Sequence, residues 1–192
     1  SKVIPLAFSS VSNSDFRASC EENLILYITD GKYVAQVSGT TFAANALDFP
    51  PQFAGTAIIP DGNTNIIIGT RVGVNVPVCR TFLWDTYSSS FTLSDEIPEV
   101  GVNTFINADD MILAQCGTAG HLYYWTGSTL AIWENELRGE TTTVGHQMTT
   151  VLNGRPLIAA GTSIYSIYHK NSTLPRALVK EYTATGAITS IS

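Results

Sequence analysis

The sequence predicts an all-β protein: a β-propeller or partial propeller of four-stranded antiparallel blades. Three observations predict it. Short β-rich runs recur in pairs across turn signals, a Gly-Thr landmark returns at a near-constant interval, and helical periodicity is almost absent. The 192 residues read as a single propeller-type domain, about four blades or an incomplete portion of a larger propeller.

The pairs are legible one by one. Runs 23–28 and 33–37 flank Asp30-Gly31, runs 56–59 and 65–68 flank Asp61-Gly62, and runs 147–152 and 156–160 flank Asn153-Gly154. Runs 81–84 and 90–93 meet across a Ser-rich turn, 103–106 and 111–115 across residues 107–110, and 121–125 and 130–133 across Thr126-Gly127. Runs 163–168 and 176–182 meet across a longer loop holding Pro175. Tight hairpin turns need positive φ, which Gly, Asn and Asp tolerate and β-branched residues do not, so each Asp-Gly or Asn-Gly between apolar runs is a turn with a mechanism. The one helical candidate, 132–137, is too short to stand alone.

The hairpins share a plan of hairpin, Gly-Thr, aromatic strand, turn, strand. The landmarks Gly69-Thr70, Gly117-Thr118 and Gly161-Thr162 recur at about 45 residues, the period of a four-stranded blade. The aromatic strands that follow hold Phe82 and Trp84, Tyr123 to Trp125, and Tyr165 with Tyr168. A four-stranded sheet with two apolar faces cannot bury both alone, so such units stack face to face. The compact runs Ile66-Ile67-Ile68-Gly69 and Leu157-Ile158-Ala159-Ala160-Gly161 suit the innermost strand, and the aromatic strands supply bulk between blades. Alternation puts Tyr123 and Trp125 on one face and Tyr124 on the other. Leu26 to Gly31 resembles Tyr123 to Gly127, which makes the first hairpin the second half of a unit, and 187–191 reads as the start of another strand. The alternative architecture is a β-sandwich, in which hairpins also recur but share no Gly-Thr landmark.

Composition limits the function classes. Charged residues make up 14% of the chain against about 25% in an average soluble domain, apolar residues make up 44%, and mean hydropathy is +0.14. Part of the surface is therefore expected to be hidden by partners or covered by Ser, Thr and Asn. The net charge of −6 and the lack of a basic stripe argue against nucleic acid. His169, Lys170, Arg176 and Lys180 are scattered strand-edge charges. No stretch reaches the roughly 18 apolar residues of a membrane-spanning helix. Residues 3–8 are too short for a signal-peptide core and are broken by Pro5.

Candidate chemistry is sparse. Cys20, Cys79 and Cys116 form neither an even framework nor a zinc spacing and read as buried small hydrophobes, although one pair could be bridged. His121, His146 and His169 lie far apart and read as strand-end histidines. The carboxylate pairs are Glu21-Glu22, Asp95-Glu96, Asp109-Asp110, and Glu134 with Glu136. A retaining glycosidase needs two carboxyls about 5 Å apart, but Asp109-Asp110 occupies a turn and Glu134 and Glu136 follow a strand exit. Trp125, Trp133 and Tyr124 suit a sugar-stacking platform or inter-blade packing. Gly69, Gly73 and Gly101 are too widely spaced for a dinucleotide loop. Asn171-Ser172-Thr173 fits a glycan acceptor. No catalytic, cofactor-binding or metal-binding residue is assigned, and no cofactor is expected.

The runs Gly120-His-Leu-Tyr-Tyr-Trp-Thr-Gly-Ser-Thr-Leu-Ala-Ile-Trp133 and Asn153-Gly-Arg-Pro-Leu-Ile-Ala-Ala-Gly-Thr-Ser-Ile-Tyr-Ser-Ile-Tyr168 resemble propeller repeats in virion proteins of tailed bacteriophages, such as tail hubs, nozzles and connectors. The resemblance covers most of the chain and rests on pattern, with no diagnostic motif and no functional residue to transfer. It implies a non-enzymatic structural role in a virion, with protein partners, a homo-oligomer or a larger viral assembly. The alternative expectation is a carbohydrate-binding or glycoside-cleaving propeller, and a third is a secreted binding module.

Overall fold

The computed structural model describes residues 18–29, 31–72, 78–88, 90–108, 111–119, 121–133, 149–168, 177–189 and 191. These hold sixteen strands and no helix, in four antiparallel sheets of four. The first sheet contains β1 (Ala18–Glu22), β2 (Ile25–Thr29), β3 (Tyr33–Ser38) and β4 (Thr41–Asp48). The second contains β5 (Phe53–Pro60), β6 (Asn65–Val72), β7 (Cys79–Asp85) and β8 (Ser90–Ile97). The third contains β9 (Val102–Ala108), β10 (Met111–Cys116), β11 (His121–Trp125) and β12 (Leu130–Ile132). The fourth contains β13 (Thr149–Leu152), β14 (Arg155–Ala160), β15 (Ser163–Tyr168) and β16 (Ala177–Thr183). In every sheet the spatial order is the chain order, so each is a simple meander.

The sheets pack in series. β1 lies against β5, β5 against β9, and β9 against β13 and β14. The first strands β1, β5 and β9 carry most of this contact, and at the last junction β14 meets β9 as well as β13. Among the described residues the first and fourth sheets do not pack together, so the series is open. The repeated four-stranded unit expected from the sequence is present, and the two-layer sandwich is not.

Strand alternation builds one core at each junction. In β6, Ile66 and Ile68 turn toward the first sheet and join Tyr27, Val34, Ile58 and Trp84. Ile67, between them, turns the other way and joins Val102, Ala114, Cys116 and Tyr123. All three isoleucines are fully buried, each contributing roughly 1.5–3 kcal/mol relative to an exposed side chain. β10 repeats the device: Ile112, Ala114 and Cys116 face the second sheet, while Met111 and Leu113 meet Ile167 of the fourth. Leu122, Ile158 and Ala160 complete that last junction. Strands covered on both faces read as unbroken apolar runs.

The aromatic strands fill the junctions as expected. Tyr27 and Trp84 meet edge to face at 5.4 Å between the first two sheets. Tyr123 and Trp125 join the core between the second and third sheets, and Tyr124 joins the one beyond.

Four expectations are corrected. The compact runs of β6 and β14 are second strands, interior to their sheets, and not the edge strands that an innermost position requires. The first hairpin is the middle of a complete sheet, because β1 and β4 flank it. Residues 187–189 form no strand, although the Ile188 amide bonds the Gly161 carbonyl at 2.8 Å. The Gly-Thr landmarks are not all equivalent. Gly117 and Gly161 close the turn between second and third strands at φ 68 and 56, whereas Gly69 is extended within β6.

Candidate functional site

The described residues converge most closely on one polar cluster, at the junction of the second and third sheets. Glu99 lies in the connection from β8 to β9, just after Ile97 anchors the end of β8 in the core. His121 opens β11 and Tyr123 follows two residues later on the same face. The Glu99 carboxylate contacts His121 Nδ1, and the Tyr123 hydroxyl donates to the same Oε1 at 3.5 Å. The Glu99 side chain is 13% exposed and that of His121 37%, so the acid is the inner partner and the imidazole reaches solvent.

Glycine makes room for the acid. A β-carbon at Gly117 would stand 2.0 Å from Glu99 Oε2, and the φ of 68 at Gly117 already disfavours any side chain. The Gly117 amide donates to the Gly101 carbonyl at 2.8 Å, and Asn103 Nδ2 donates to the Gly117 carbonyl at 2.6 Å. These bonds fix the turn over which the carboxylate lies.

The surroundings hold protons in place. Burial, reinforced by the Glu99 charge and by Cys116 and Cys79, raises the Tyr123 hydroxyl pKa. Burial, then Glu99, pushes Cys79 up to about 12, and burial pushes Cys116 well above the ordinary thiol value. Both thiols are free and share one core cluster. The cluster thus combines a carboxylate–imidazole pair with neutral thiols and a neutral phenol. Such a pair can orient an imidazole for proton transfer, but the buried thiols remain protonated and face the core.

The residues weighed from the sequence are distributed as follows. His121 joins the cluster. Asp95 Oδ2 accepts from the Leu130 amide at 3.1 Å and Glu96 pairs with Arg80 at 2.9 Å, so this pair braces strands and strand ends. Glu21 is exposed and Glu22 half-buried on β1. Trp125 packs in one junction while Tyr124 and Trp133 pack in the next, so the three form no common platform. Cys20 lies between the first two sheets, with its thiol raised to about 12 by burial and then Glu22. His146, His169, Asp109, Asp110, Glu134, Glu136 and the triplet beginning at Asn171 lie outside the described residues. Sequence reasoning missed Glu99, which stands alone in a loop; its one signal is the Glu99 to Gly101 stretch ahead of a strand.

No protein-family model matches the chain, and the search of curated proteins returns no match. Among solved structures, the chain is similar to an extracellular domain assigned to a hybrid two-component system of B. thetaiotaomicron. That match has 9% identity and a TM-score of 0.40, and covers 92% of this chain. The chain spans 29% of the length of that protein.

Proposed function

We propose that this chain is a non-catalytic, protein-binding scaffold, a propeller-type component of a larger assembly of the kind found in tailed-phage virions. The observation that carries the reading is the surface of the fourth sheet. Leu152, Val179 and Tyr182 stand 60%, 41% and 58% exposed on one sheet, where a free-standing surface would favour polar residues. Four sheets joined by three apolar cores supply the rigidity such a scaffold needs. The phage assignment rests on the resemblance of the repeat runs.

Immunogold labelling of particles from the source organism with an antibody to this chain tests the assignment. Label on the tails of virus particles is the expected result. Label confined to cell envelopes or to the soluble fraction overturns the virion role.

The Glu99, His121 and Tyr123 cluster favours a second reading, a glycoside-cleaving propeller. Turnover of a chromogenic glycoside by the purified chain, abolished by Glu99→Gln, would establish that reading in place of the first.

A further inference from the structure

The turn between β13 and β14 has a reactivity of its own. Asn153 and Gly154 make the two-residue connection at φ 51 and 76, and both are exposed. The ladder pairs Leu152 with Arg155, which leaves the amides of Asn153 and Gly154 outside it. Asparagine is among the chemically labile residues, above all where glycine follows. The next backbone nitrogen then reaches the side-chain Cγ to close a succinimide ring, and glycine offers no β-carbon to hinder the approach. A β-carbon at Gly154 would meet nothing within 4 Å, so the turn is open around the attacking nitrogen.

Asn153 alone among the asparagines of the chain is followed by glycine. Asn65 and Asn103 precede Ile66 and Thr104, whose branched side chains crowd the amide. Their own side chains are also engaged: Asn65 Nδ2 donates to Asp61 at 2.8 Å and Asn103 Nδ2 to the Gly117 carbonyl at 2.6 Å. At the turn Asp61-Gly62 the side chain accepts from the Asn63 and Asn65 amides, and as a carboxylate it is a poor target for a nitrogen nucleophile. Ring closure at Asn153 needs rotation about its Cα–C bond, away from the left-handed conformation. β13 has four residues, and Val151 and Leu152 at its end are exposed, so few buried contacts oppose that local opening.

We propose that Asn153 is a site of spontaneous deamidation. The Gly154 nitrogen bonds to Asn153 Cγ and gives up its proton, and the side-chain nitrogen leaves as ammonia. Water then adds to one carbonyl of the succinimide and breaks its C–N bond, giving aspartate or isoaspartate. Water is the sole co-reactant. A neutral amide becomes a carboxylate on the recess of about 400 Å³ lined by Leu152, Asn153, Arg155, Leu157 and Glu181. That recess already holds the pair of Arg155 and Glu181, at 3.2 Å. Isoaspartate also adds a backbone methylene to the turn that sets the register of β13 on β14. The modification therefore changes both the charge and the backbone of this exposed hairpin.

Incubation of the folded full chain in mildly alkaline buffer, with peptide mass spectrometry and ammonia measured at intervals, tests the proposal. The peptide holding Asn153 is expected to convert to aspartate and isoaspartate forms, heavier by the difference between O and NH, before any other asparagine peptide changes. Asn153→Gly keeps a residue that tolerates positive φ and should lose the early ammonia release. Circular dichroism checks that the variant folds; Asn153→Asp, which suits the same turn and has no side-chain nitrogen to release, replaces it should it fail. An Asn153 peptide that stays intact, or ammonia release that persists at the wild-type rate in the variant, overturns the proposal. Neither outcome touches the scaffold reading, which immunogold labelling decides separately.

Discussion

Val102 rests directly on Gly69. A β-carbon at Gly69 would fall 2.5 Å from both Cβ and Cγ1 of Val102, so the bare backbone of β6 is the surface on which the first residue of β9 packs. The Thr56 hydroxyl closes the same seam, donating to the Val102 carbonyl at 2.5 Å with the Gly69 carbonyl 3.2 Å away. Second and third sheets meet here as backbone on side chain, closer than two side chains would permit.

Gly69→Ala should destabilise the chain by about 1–3 kcal/mol, through overpacking and not through backbone conformation, since Gly69 is extended. Combined with Val102→Ala, the loss should be smaller than the two single losses together, with a coupling of about 0.5–3 kcal/mol. Urea unfolding of the four proteins measures it. Strict additivity would mean that the two residues do not share the seam.

Thr56→Val and Thr149→Val remove the hydroxyls that tie neighbouring first strands. Thr149 donates to the Phe105 carbonyl at 2.9 Å, across the third and fourth sheets, as Thr56 does to Val102. Each substitution keeps the side-chain shape and leaves a buried carbonyl short of a donor, so each should cost about 1–3 kcal/mol in denaturant unfolding. A loss at one position and none at the other would show that the two seams are not built alike.

Leu24→Gly should stabilise the protein. Asn23 and Leu24 form the two-residue turn from β1 to β2 at φ 53 and 62, and Leu24 is 87% exposed. Positive φ costs an L-residue about 1–2 kcal/mol, and an exposed side chain returns little of that. A midpoint shift equivalent to about 1 kcal/mol is expected after the entropy of the added glycine is counted. Unchanged or lower stability would mean that Leu24 packs against a partner.

Alkali should unfold the protein through its thiols. Cys20 and Cys79 are raised to about 12 by burial, and an unfolded thiol ionises near 9. The folded state therefore holds more protons than the unfolded state between those values, so stability falls as pH rises through that window. Below pH 9 the contribution is complete. Thiolate absorbance should develop together with loss of β-sheet circular dichroism, and a disulfide reagent at pH 8 should react slowly until denaturant is added. Fast native reaction at all three cysteines would contradict their burial.

The strands that the sequence reveals are those whose turns carry Gly, Asn or Asp where positive φ is needed. Asn153-Gly154 has both residues there, at φ 51 and 76, and the hairpin it predicts forms in register. β1 escapes notice because its turn uses Leu24, a residue that signals no turn. β4 escapes because its Ala-rich run has weak strand propensity. The Gly-Thr landmark identified the right repeat but mixed two physical roles: positive φ at Gly117 and Gly161, and close approach at Gly69. Only contacts between sheets separate them.

The local alphabet of this chain settled that it is a series of antiparallel meanders, because turn chemistry and β-propensity act over a few residues. It also marked the runs of β6 and β14 as compact and apolar. Which sheet covers which face, that β1, β5 and β9 meet in series, and that Glu99 reaches His121 were decided by tertiary packing. Those outcomes depend on residues tens of positions apart, whose proximity is set by how sheets stack and not by any spacing along the chain.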